Sequence, residues 1–96
     1  MSTKRKPKPV RPQASPPKIE RVQTGMRVEK RILKVLKALA EYHDVSLGDL
    51  IEGIVLHAFE GKCAFDKTSL DRISTLKGVY DLELGASHSH RLVEMS

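Results

Sequence analysis

Arg21, Gln23, Gly25 and Arg27 alternate along one short stretch, and that spacing gives the chain its most usable chemistry. Alternate residues of a strand share a face, so two guanidinium groups, a carboxamide and a glycine stand together as a set suited to reading base edges. Val22, Thr24, Met26 and Val28 make the opposite face mostly apolar, fit to lie on helices. The alternation predicts a strand over residues 19–28. One strand cannot make a sheet alone, so a second copy is expected to pair with it. The resulting two-stranded ribbon is of a size that the DNA major groove admits.

Two helical patterns follow and must position that face. From Glu29 to about Tyr42, Ile32, Val35, Leu36, Leu39 and Ala40 recur at helical spacing, with Leu33 widening the stripe. Lys30, Lys34, Lys37 and Glu41 fall outside it. His43-Asp44-Val45 interrupts the pattern, and Ser46-Leu47-Gly48-Asp49 carries the Ser-x-x-acid signature of a helix start. The second stripe is Leu47, Leu50, Ile51, Ile54, Val55 and Ala58, extended by Phe59, and Gly61 is placed to end it in a left-handed conformation. A weaker third helix is predicted from about Ser69 to Tyr80, capped by Thr68 or Asp66. The expected organisation is a disordered, basic, proline-rich arm over 1–18, a folded domain over 19–61, an accessory helix region over 62–84 and a flexible tail over 85–96.

Charge divides along the chain. Residues 1–37 carry 12 basic and two acidic groups, a net of +10, whereas residues 38–96 carry five basic and ten acidic groups, a net of −5. A basic end that continues past the arm into the helical region implies a polyanionic partner. The arm holds all five prolines and one large aliphatic residue, Val10, too little apolar surface to offset its ordering entropy. It suits tracking a DNA backbone but, lacking aromatic residues, not stacking on single-stranded bases. The remaining residues are few for an independent core, and a single cysteine, Cys63, excludes an intrachain disulfide. No secretory leader and no transmembrane stretch is legible, so a cytoplasmic, nucleoid-associated protein is expected.

The order of strand, helix, short turn and helix over residues 23–59 resembles the ribbon-helix-helix DNA-binding fold of the Arc and MetJ repressor type. The pattern lies on those residues without a gap, about two-fifths of the chain. The resemblance implies a mostly α fold with one short strand. It also implies an intertwined homodimer with a two-stranded antiparallel intermolecular ribbon, here carrying an extra C-terminal helix. It further implies base contacts from Gln23, Gly25 and Arg27. Arg27 would pair with guanine O6 and N7 and Gln23 with adenine N6 and N7, each pair contributing roughly 1–3 kcal/mol of discrimination. A backbone phosphate would sit on Ser46 and the N–H groups of Leu47 and Gly48, with Arg21 and Lys30 as further phosphate contacts. Two positions depart from the family's pattern. Gly25 stands where a polar side chain is usual, which weakens direct readout, and Asp44 stands where glycine is common in the interhelix turn.

The function implied is a transcriptional repressor or autoregulator that binds double-stranded DNA. One alternative is the antitoxin of a toxin–antitoxin pair, with residues 62–96, including Phe65, Leu70, Ile73, Leu76 and Tyr80, wrapping a protein partner. The other is a DNA-segregation protein whose basic tail engages a motor ATPase. The plainer account of Lys30, Arg31, Lys34 and Lys37 is a solvated helix face of which one or two residues touch phosphate. His57, Cys63, His88 and His90 lack the spacing of a closed metal site, so neither metal nor cofactor is expected. The sequence shows no glycine-rich phosphate loop, no His-Glu-x-x-His and no nucleophile beside a base, and so gives no sign of an enzyme.

Overall fold

Three helices form in the computed structural model, which describes residues 15–95: α1 Lys30–His43, α2 Leu47–Phe59 and α3 Lys67–Val79, followed by one 3-10 turn at Ala86–His88. Each helix starts where a side chain can satisfy the otherwise unpaired N–H groups of its first turn. The Glu29 carboxylate accepts from the N–H groups of Arg31 and Ile32, both at 2.9 Å. The Ser46 hydroxyl accepts from Asp49 N–H at 3.1 Å, and Asp66, one of the two caps expected for α3, accepts from Ser69 N–H at 2.8 Å. Each helix also ends alike. Asp44, Gly61 and Asp81 take positive φ of 60°, 71° and 55°. The N–H of the following residue then reaches back to Ala40, His57 and Lys77 carbonyls at 3.0, 2.9 and 2.8 Å, the Schellman closure. Glycine adopts that conformation freely, whereas the two aspartates adopt it at some cost.

The expected strand over residues 19–28 is not there. Residues 15–29 hold neither helix nor strand, and no backbone–backbone hydrogen bond joins residues 15–28 to any described residue. The ribbon-helix-helix architecture, an intertwined homodimer built on a two-stranded intermolecular ribbon, is therefore corrected: the described residues form a small all-helical unit with no strand to pair. The reason is physical. Alternation of side chains fixes which residues share a face, but a strand exists only when a neighbouring backbone completes the ladder, and the described residues offer none. The disordered arm expected over 1–18 lies mostly outside the described residues.

The core sits on α1. Val35, Leu39 and Ala40 are buried, Leu39 almost completely at 1% exposure, and both α2 and α3 pack against this helix. Ile32, Leu33, Leu36, Leu50, Ile51 and Ile54 are half-buried, whereas Thr24, Met26 and Val28 of the face expected to lie on helices, and Val55 of the second stripe, are exposed. Helix α3 runs antiparallel to α1 and is held at its middle and just past its C-terminal end. Arg72 stacks over the Tyr42 ring with its Cζ 3.6 Å from the centroid. Past the C-terminal end Arg31 donates to the Asp81 carbonyl at 3.1 Å, and Lys34 lies 5.8 Å from the centre of the Tyr80 ring. A cavity of about 170 Å³ remains among the aliphatic side chains where α1 meets Ile54, Phe65 and Ile73.

Candidate nucleic-acid interface

The segment before α1 is open to solvent, and two arginines hold it. Every residue from 15 to 28 is exposed, including the large apolar Ile19, Val22 and Met26. Arg21 forks onto Glu52 of α2, its Nε donating to Oε2 at 2.9 Å and its Nη2 to Oε1 at 2.8 Å. That pairing raises the Arg21 pKa and lowers that of Glu52, the shared hydrogen bond being the main cause in both. Arg27 donates from Nε at 2.9 Å and from Nη2 at 2.5 Å, both to Oε2 of Glu94 near the C-terminus. Gln23 is exposed and makes no hydrogen bond with described residues. Gly25 has ordinary negative φ and open space where a Cβ would stand, so neither its own conformation nor a close neighbour demands glycine there.

Part of the expected site converges. Gly25 and Arg27 face Leu47 and Gly48, the first two residues of α2, across a groove of about 670 Å³ that Glu94 also lines. The N–H groups of Leu47 and Gly48 belong to a first turn, where backbone donors lack intrahelical partners, and nothing lies within 4 Å of a Cβ placed on Gly48. Ser46 caps the same turn, so its oxygen is already engaged. Asp49 puts a carboxylate in that turn and offsets some of the attraction for a phosphate. Arg21, Gln23 and Lys30 do not line the groove.

The basic face of α1 divides in two. Arg31 and Lys34 hold α3, as described above, and Arg31 also pairs with Glu29 at 3.0 Å. Lys30 and Lys37 are exposed and have no ion-pair partner among the described residues. The sequence reading missed Glu29, Glu52 and Glu94. Glu29 was legible as an acidic residue before a helical stripe. Glu52 and Glu94 sit 31 and 67 residues from their arginines, and no local pattern announces them.

The residues weighed for metal binding stand apart. His57 Nδ1 lies 2.7 Å from the Gly53 carbonyl, the Cys63 thiol donates to the Phe65 carbonyl at 3.6 Å, and His88 Nδ1 accepts from Gly85 N–H at 2.9 Å. No group of three or more candidate ligands occurs among the described residues. No helix there is long and apolar enough to cross a membrane. Comparison of the chain with protein-family models, curated proteins and solved structures finds no match.

Proposed function

We propose that this protein binds double-stranded DNA as a sequence-selective regulator of transcription, a repressor that acts at its own promoter within the nucleoid. The observation that carries the reading is the charge division, +10 over residues 1–37 against −5 beyond, together with the exposure of Arg21, Gln23, Arg27, Lys30 and Lys37 on one segment and the helix it leads into. Arg27 and Gln23 supply the side chains that pair with base edges. Lys30, Lys37 and the first turn of α2 with Ser46 supply phosphate contacts, which position the protein without reading sequence, while Arg21 stays on Glu52. The arm over 1–18 adds salt-sensitive affinity.

Homodimerisation belongs to this reading. One copy leaves Leu56 and Phe59 of α2 at 63% and 80% exposure while burying only three of the described residues. Exposed large apolar side chains grouped on one helix mark an interaction surface. A second reading, a protein partner taken by residues 62–96, is favoured by the exposure of Leu70, Val79, Leu92, Val93 and Met95.

The test is binding to the protein's own promoter fragment and to a scrambled duplex across a salt series, using the full chain, a variant lacking residues 1–18, and Arg27→Ala. Preference for the promoter that survives removal of the arm and disappears with Arg27 is the expected result. Equal affinity for both duplexes, collapsing without the arm, would refute sequence-selective binding and turn attention to residues 62–96.

A further inference from the structure

The two arginine–glutamate pairs on the binding segment differ in kind. Arg21 meets Glu52 fork to fork, one donor to each carboxylate oxygen, on a helix packed against the core. Arg27 directs both donors at a single oxygen of Glu94, a residue outside the three helices. The side chains of Arg27 and Glu94 are 83% and 67% exposed, against 62% and 42% for Arg21 and Glu52. A guanidinium pairs best with two acceptor oxygens at once, and exposed pairs of this kind are weak. The Arg21 pair therefore anchors the segment, and the Arg27 pair is the exchangeable one. Glu94 also stands in the groove that Gly25, Leu47 and Gly48 line, where its carboxylate repels an anion approaching the first turn of α2 from that side.

We propose that Glu94 is an internal competitor for Arg27, occupying in the free protein the guanidinium that DNA takes in the complex. The inference rests on the DNA-binding reading above. A phosphate or a guanine edge offers Arg27 two acceptors where Glu94 uses one, so the exchange improves the geometry of the arginine while releasing the C-terminal segment. Residues 89–95, with Leu92, Val93 and Met95 exposed, thus act as a light restraint on the reading segment. The restraint lowers affinity by the same factor for every polyanion that takes Arg27, and so sets the overall strength of binding and not the choice between sequences.

The experiment uses the full chain with Glu94→Gln, Arg27→Ala, the double variant, and Glu83→Gln as a charge control, because Glu83 is exposed and makes no ion pair among the described residues. Affinity for promoter and scrambled duplexes is measured at low salt, and the Arg27 Nε–H resonance is followed by NMR in the free proteins. Glu94→Gln should shift that resonance and tighten duplex binding about two- to five-fold, the range set by an exposed ion pair. Glu83→Gln should give a clearly smaller gain, and in the Arg27→Ala background Glu94→Gln should gain no more than Glu83→Gln does. Equal gains from the two carboxamide variants, or an excess gain from Glu94→Gln that persists without Arg27, would reduce the effect to net charge and overturn the inference while leaving DNA binding intact. An Arg27 resonance indifferent to Glu94→Gln would overturn it too. If the resonance reports the contact but no variant binds either duplex, the DNA-binding reading fails, and the inference with it.

Discussion

Phe59→Ala separates a chain that works alone from one completed by a second copy. In the single chain Phe59 is 80% exposed, so truncating it should alter monomer stability by no more than about 0.5 kcal/mol, the usual range for surface changes. A phenylalanine buries roughly 150–250 Å² when covered, and four-fifths of that is about 120–200 Å². At about 25 cal/mol per Å² a partner covering this ring would gain about 3–5 kcal/mol per copy, an upper figure because association also costs ordering and desolvation at the interface. The assay is thermal unfolding at concentrations spanning two orders of magnitude, with sedimentation equilibrium on the same samples. For the unmodified chain Tm should climb with concentration, as linked dimerisation requires. Phe59→Ala should lower Tm, flatten its concentration dependence and move the association midpoint by more than tenfold. A chain that stays monomeric at hundreds of micromolar, with unchanged Tm in Phe59→Ala, would refute the homodimer.

Three further perturbations test the helical frame. Leu39→Ala removes the most buried side chain beside an existing cavity of about 170 Å³. It should cost about 2–5 kcal/mol, seen as a lower urea midpoint, and a loss under 1 kcal/mol would show that α1 is not the centre of the core. Asp44→Gly relieves a left-handed residue at φ 60° and should raise stability by up to about 1 kcal/mol. A lower Tm would mean that the aspartate side chain contributes more than its backbone costs. Acid should loosen the helix starts. Glu29 is lowered chiefly by the Ile32 N–H and also by Arg31, Glu52 by Arg21, and Asp66 by the Ser69 N–H. Their contribution is complete above the ordinary carboxylate pKa, about 4, and is lost as pH falls through the depressed folded values. Helical circular dichroism should hold from neutral to about pH 5 and decline below about 4, with a smaller decline in a Glu29→Gln, Asp66→Asn variant.

What the sequence made legible is what neighbouring residues decide among themselves. Ser46 before Leu47, Gly61 after Phe59, and the spacing of Val35 with Leu39 each act within one or two turns, and the structure shows caps, closure and burial at those positions. Asp44 came into view only through the resemblance, which puts glycine in that turn, and the structure places it at a positive φ of 60°. Residues 19–28 fail for the opposite reason. Their alternation is genuine, but a strand needs hydrogen-bond partners from elsewhere, and the described chain supplies only side-chain anchors, Glu52 and Glu94. Those anchors lie far along the chain, where charge pairing depends on how α2 and the C-terminal segment fold back and not on local spacing. Val55 shows the same limit within a helix. Its phase assigns it to the apolar stripe, yet it is 37% exposed, since a stripe states which side chains prefer burial and not which neighbour is present to cover them. The candidate site inherits both properties. Its side chains were readable as a set, but the carboxylates that hold Arg21 and Arg27 belong to the tertiary fold, and they decide which arginine is free to exchange.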